Sequence, residues 1–188
     1  MNMHPAHLKR ALIGLFCTIA AFALLLPVSA RPNYALITLL HTNDTHGVVL
    51  PKDGKGGLAR VATLVKQVRA DMPNVLLLDA GDFTHGTPEE HLFGGKAIVS
   101  AMNAMGYSAA NAGNHDFDLG TENLKSDVAV ASFPVLAANA RTATGGEWDG
   151  AKPYQVFELG EARIGVIGLT MTEASTPHWP GWMRDVVI

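Results

Sequence analysis

Three polar motifs, each set at or beside the end of a short apolar run, constrain this 188-residue chain more than any other feature. HTNDTHG at 41–47 follows Leu36 to Leu40. LLLDAGDF at 76–83 overlaps the run Val75 to Leu78, and AGNHDFD at 112–118 follows the small-residue stretch Ser108 to Ala112. Continuous apolar runs of this length, separated by helical patterns, predict parallel strands buried on both faces. Parallel strands place their carboxyl ends side by side, where residues distant in sequence share one crevice. Asp44, His46, Asp82, Asn114 and His115 are therefore expected to converge.

The intervening segments read as helices. Leu58, Val61, Leu64, Val65 and Val68 recur at helical spacing, with Arg60, Lys66 and Arg69 on other faces, which predicts an amphipathic helix over 57–72. Ile98, Ala101, Met102 and Met105 predict a second, ended by Gly106, and a third is expected over 121–131. Phe133 to Ala138 reads as a further strand. Tyr154 to Leu159 and Arg163 to Leu169 read as a hairpin around Gly160 and Glu161. The expected order is βαβαβαβ followed by a hairpin.

Residues 1–30 read as a signal peptide rather than part of the fold. Lys9 and Arg10 precede the apolar stretch Ala11 to Leu26, and Pro27 and the small-residue pattern Val28-Ser29-Ala30 predict cleavage after Ala30. The protein is then exported, to the periplasm or the extracellular space, with no stable membrane association after cleavage. An uncleaved anchor is the lesser alternative, because the apolar stretch is long for a signal core. Cys17 is the single cysteine and lies inside this segment, so the mature chain has neither a disulfide nor a thiolate metal ligand.

Residues 31–188 are enough for one domain with a real core. They hold twelve basic against seventeen acidic residues, with no basic stripe for a nucleic-acid polymer. Asp53 to Gly57 reads as a loop, and its GKGG lacks the spacing and the Ser or Thr of a phosphate-binding P-loop.

Chemistry concentrates in the three motifs. Asp44 and His46, one residue apart at a strand end, offer a hard oxygen and an imidazole nitrogen to one metal. The bland alternative makes Asp44 a turn cap before Gly47 and His46 a surface side chain. Asp82, after Gly81, either caps a loop or bridges two ions about 3.5–4 Å apart, the separation that clamps an in-line displacement. Asn114 can ligate through its amide oxygen while His115 faces substrate. Asp118, three residues beyond His115, is placed to accept a hydrogen bond from its ring and favour the protonated imidazole. A protonated histidine suits a leaving alkoxide. Taken alone, Asn114-His115-Asp116 reads equally well as a polar loop after Gly113.

Taken together, HTNDTHG, GDFTHGTPE, MNAMGYSAANAGNHDFDLG and FPVLAANA resemble the N-terminal part of the bifunctional 5′-nucleotidase and UDP-sugar hydrolase family, within the calcineurin-like metallophosphoesterases. The resemblance runs from about Leu36 to about Thr170. It implies an α/β fold: the N-terminal portion of a four-layer α-β-β-α sandwich, truncated, with residues 31–188 a partial metallophosphoesterase domain. It implies metal ligation by Asp44, His46, Asp82 as the bridge and Asn114, catalysis by His115 with Asp118, and substrate contact by Asn114 and His115. Asp116 stands where glutamate is also common and receives no direct role. Two divalent ions of the Mn, Zn, Co or Fe type are implied, with an activated water attacking phosphorus in a nucleotide or another phosphate ester.

The family draws further ligands from later in the chain, an isolated histidine and a Gly-His-x-His segment, which have no counterpart here. His178, between Pro177 and Trp179, is a poor match. His85 and His91 are read as substrate-proximal or merely exposed, and Trp179 and Trp182 as cover for an apolar surface. An open sheet edge or face, and association with a missing C-terminal part, are expected. Three functional readings stand: the N-terminal part of an exported phosphoesterase, weakly active or inactive by itself; a non-catalytic metal-binding remnant; and a sulfur hydrolase of the thiosulfate-oxidation type.

Overall fold

The computed structural model describes residues 34–171 and 186–188; the predicted signal peptide, His178, Trp179 and Trp182 lie outside them. The four apolar runs form one parallel sheet in the order β1-β2-β3-β4, built from β1 (Thr38–Thr42), β2 (Val75–Asp79), β3 (Ala109–Asn111) and β4 (Val135–Leu136). β1 begins two residues later than predicted, and β3 and β4 are shorter than their apolar runs. Loop is added at the carboxyl ends of β3 and β4, whereas β1 and β2 run to Thr42 and Asp79, past the ends of their apolar runs.

Register explains the two faces. Leu40 lies beside Leu77, and Ala110 beside Val135, so these side chains share one face. That face packs on α1 (Leu58–Asp71), α3 (Lys96–Met105) and α4 (Thr121–Val128), whose Leu58, Val65, Ile98, Met102 and Leu124 join it in the core. Between β2 and α3 lies the short helix α2 (Pro88–Phe93), which periodicity did not reveal. Leu64, expected on the buried stripe of α1, is instead 62% exposed. The stripe is narrower than the pattern, and Val61, Ala62 and Val65 carry it.

α3 ends at Gly106 as predicted, with φ +70°, and its amide donates to the carbonyls of Met102 and Asn103. Arg69 in the last turn of α1 donates to the carbonyls of Met105 and Gly106, both at 2.6 Å, which satisfies the open end of α3 and ties the two helices together.

The opposite face carries Leu39, His41, Leu78, Ala109 and Leu136. The predicted hairpin, β6 (Tyr154–Leu159) with β7 (Ala162–Ile167), borders it. A crevice of about 310 Å³ separates this sheet face from the end of β7 and the residues after it. Leu39, Ile167 and Leu169 remain more than 60% exposed, in keeping with the expected open face. A small antiparallel pair, β5 (Arg141–Thr142) with β8 (Val186–Val187), escaped the sequence reading because each strand is only two residues long. No helix among the described residues is long and apolar enough to cross a membrane.

Candidate metal centre and its histidine–aspartate pair

The loops leaving β1 and β2 run side by side, laced by backbone hydrogen bonds. Asp44 N–H donates to Gly81 O at 3.0 Å, His46 N–H to Asp82 O at 2.9 Å, and Gly47 N–H to Phe83 O at 2.9 Å. Sequence reading placed Asp44 and His46 at a strand end, alternating across one residue. The structure corrects the reason: both lie beyond the strand in the left-handed region, with φ +52° and +46°, and Asp82 and His85 join them at +58° and +55°. Such backbones cost on the order of 1–3 kcal/mol each and persist where surrounding bonds over-determine them, as the lacing does here.

Convergence follows. Asp44, His46 and Asp82 each offer a ligand atom, and these atoms lie within 4.8 Å of one another. The His46 Nδ1 is 3.0 Å from the His85 carbonyl. A carbonyl only accepts, so Nδ1 carries the proton and Nε2 is left for a metal, 4.0 Å from Asp44 Oδ1. Asp82 is similarly oriented: its Oδ1 accepts the His115 amide at 2.8 Å, leaving Oδ2 for a cation. The Asn43 amide donates to the Asp44 carboxylate. Asn114 lines the same cleft of about 230 Å³ as Asp44 and Asp82. Two carboxylates, one imidazole with a fixed tautomer and an amide oxygen form a donor set suited to a divalent cation of the transition series.

His115 opens a 3-10 turn, His115–Phe117, in which residues three apart eclipse. The eclipse brings His115 Nδ1 to 2.8 Å from Asp118 Oδ2, as predicted. Its imidazole pKa is raised above the ordinary 6.5, first by that hydrogen bond; desolvation opposes it, and the charges of Asp118, Asp82 and Asp116 add to the rise. The His46 and His115 rings meet edge to face, with centroids 5.3 Å apart, so the His115 ring borders the ligand cluster. In the metal-free chain, Asp118→Asn moves the His115 titration midpoint down towards its ordinary value. Ring proton shifts followed by NMR across pH read this, and an unchanged midpoint contradicts it.

Asp116, given no role from sequence, is the residue that holds the centre together. Its carboxylate is buried at 2% exposure and accepts the amides of Asp82 at 3.0 Å, Thr84 at 2.7 Å and Gly113 at 2.8 Å, with the Thr84 hydroxyl at 2.8 Å. One side chain thus staples the β2 loop to the β3 loop. Nothing in an acidic loop motif distinguishes an inward carboxylate from an outward one. His85 is half-buried, and its Nε2 lies 3.5 Å from Asp118, so it is neither merely exposed nor remote from the centre. His91 falls on α2, and its side chain lies outside the description.

Residues 37–164, more than half of the chain, match the family of calcineurin-like phosphoesterases. The chain belongs to that family. The bovine 5′-nucleotidase is 37% identical over 178 residues, which cover 87% of this chain and 31% of that protein. Protein UshA of Escherichia coli K12 is 38% identical over 155 residues, covering 80% and 28% respectively. The solved structure of the Haemophilus influenzae NAD nucleotidase superposes with a TM-score of 0.71 at 32% identity, over 81% of this chain and 29% of that one. The chain thus spans about three tenths of the length of these relatives. Its family are hydrolases that bind divalent metals, and the Asp44, His46 and Asp82 group is where such an ion fits this chain.

Proposed function

We propose that this chain carries the metal-binding and proton-donating side of a 5′-nucleotidase-type phosphoesterase centre, with the phosphate ester of a nucleotide as substrate. The observation that carries the reading is the adjacency of the Asp44, His46 and Asp82 ligand atoms, all within 4.8 Å, to the His115–Asp118 pair. The names of the relatives support the substrate class.

In this reading Asp44 and His46 would hold one cation, Asn114 would hold a second, and Asp82 would serve both. A divalent cation there supplies Lewis acidity towards a phosphoryl oxygen and makes hydroxide available near neutral pH. The chain's own residues do the rest. The strained, laced loops present the ligands with little reorganisation. Asp118 orients the His115 ring by binding its Nδ1, which leaves Nε2–H to donate to the departing alkoxide as the phosphorus–oxygen bond breaks. Asn114 and His115 line the approach of the phosphate. Residues 1–30 serve as an export signal cleaved after Ala30, which mass spectrometry of the secreted product reads directly.

With only these ligands, cation retention and turnover are expected to be weak. Calorimetric titration of the purified chain with Mn²⁺ should give measurable binding that Asp82→Ala weakens by more than the roughly 10–100-fold typical of an outer-shell change. Hydrolysis of a nucleoside 5′-monophosphate should be slow and Mn²⁺-dependent. His115→Ala should lower it by about 10²–10⁴ while leaving Mn²⁺ binding in place. Equal Mn²⁺ affinity in wild type and Asp82→Ala would sink the reading.

A further inference from the structure

The histidine–aspartate pair has a third partner. Asp118 Oδ2, the oxygen bound by His115 Nδ1 at 2.8 Å, also lies 3.5 Å from His85 Nε2, within ion-pair range though longer than the roughly 2.7–3.2 Å of a direct N–H···O bond. A carboxylate has lone-pair capacity for both donors. His85 touches the ligand cluster as well, because its backbone carbonyl takes the His46 Nδ1 proton at 3.0 Å.

The placement of His85 is built into the backbone. It sits at φ +55°, and the next residue, Gly86, passes so close to His46 that a Cβ on it would lie 2.7 Å from His46 Cβ. The 85–86 segment is thereby pressed against the His46 ligand on one side while the His85 ring meets Asp118 on the other. The His85 side chain is 22% exposed, against 31% for Asp118 and 48% for His115. It forms the inner end of a row running His85, Asp118, His115, with the solvent-facing member nearest the substrate side.

We propose that His85 is a positioning residue of the phosphoester centre. Its imidazole holds the Asp118 carboxylate in the orientation that binds His115, and its carbonyl fixes the ring of His46. An aspartate at the end of a short 3-10 turn with a single partner is free to rotate towards water, and the second contact restrains that rotation. The proposal rests on His115 being the proton donor for its functional meaning, but the orientation it predicts is measurable without turnover.

The test uses the full ¹⁵N-labelled chain in EDTA, with long-range proton–nitrogen spectra of the His115 ring. In wild type, His115 Nδ1 should carry the signature of a protonated nitrogen bound to a carboxylate. His85→Phe should lose it, giving a mixture of ring tautomers. His85→Gln, whose terminal amide reaches about as far as the imidazole Nε2, should restore it. Amide spectra of core residues establish that each variant is folded, and His85→Ala serves the same comparison if His85→Phe is not. An unchanged Nδ1 signature in the folded His85→Phe or His85→Ala chain overturns the proposal, as does failure of His85→Gln to restore it.

Hydrolysis of p-nitrophenyl phosphate with Mn²⁺ is followed in parallel. A fall in kcat at unchanged KM in His85→Phe, reversed in His85→Gln, supports the positioning role in the reaction itself. A wild-type chain that has the signature but hydrolyses nothing counts against the proposed function and leaves the restraint on Asp118 intact.

Discussion

Gly113→Ala is expected to abolish divalent-cation binding and to lower the melting temperature. A Cβ at this position would lie 2.2 Å from Asp82 Oδ1 and 2.3 Å from the Asp82 backbone nitrogen, far inside contact distance. Neither atom can retreat cheaply. The oxygen is held by the His115 amide and the nitrogen donates to Asp116. Displacing Asp82 moves the carboxylate proposed to reach a cation and breaks one buried and one part-buried hydrogen bond at once. Overpacking of this kind costs about 1–3 kcal/mol. Each buried polar group left unpaired adds about 1–3 kcal/mol. Calorimetry with Mn²⁺ and thermal unfolding by circular dichroism read the two effects, and wild-type affinity in the variant would show that Asp82 is positioned by something other than this close approach.

Asp116→Asn is the second large effect. The carboxylate accepts amides at both oxygens, so an Asn amide nitrogen must face at least one N–H group that it cannot satisfy. The loss is about 2–4 kcal/mol for one or two orphaned amides in a network of this burial. That is a large share of the 5–15 kcal/mol typical of a domain. Mn²⁺ binding should weaken with it, because the staple between the β2 and β3 loops sets where Asp82 and Asn114 lie.

The same residue gives the metal-free chain a pH dependence whose sign can be worked out. Burial pushes the Asp116 carboxyl up to about 7, and Asp79, buried against Thr42 and Gly81, up to about 6, both from an ordinary value of 3.8. The folded state therefore keeps protons that the unfolded chain has released. The stability these groups contribute is fully present below about pH 3.8 and is lost as pH rises through 6 and 7. His115, also raised, acts in the same direction. Melting temperature in EDTA should fall between pH 5 and pH 8, and Asp116→Asn should remove the upper part of that fall. A wild-type melting temperature that rises across this range contradicts the assignment.

How much of this was legible beforehand differs from residue to residue. The gathering of Asp44, His46, Asp82 and Asn114 at one cleft could be read because the end of a parallel strand is a fixed place in a fold. An apolar run followed by a polar motif names that place without coordinates. Asp118 could be read because a separation of three residues brings two side chains together on a helical turn. Asp116 could not, although it lies between His115 and Asp118. Whether its carboxylate turns inward depends on the Asp82, Thr84 and Gly113 amides, which reach it from two loops. Leu64 failed for the opposite reason: it fits the helical period, but the width of the buried stripe on α1 is set by what packs against it.

The sequence by itself determined the α/β order, the strand ends at which the candidate site gathers, the turn that ends α3 and the family of the chain. All of these rest on local periodicity, on single-residue conformational preference, or on motifs read in order. Only the tertiary structure decided that Asp44, His46, Asp82 and His85 sit on left-handed backbone, that the loops after β1 and β2 are laced together, and that Asp116 staples them to the third motif. These are hydrogen bonds between segments more than thirty residues apart. The lacing joins backbone groups that nearly every residue carries, and the Asp116 carboxylate takes three of its four bonds from backbone amides, so side-chain identity holds little record of where they meet.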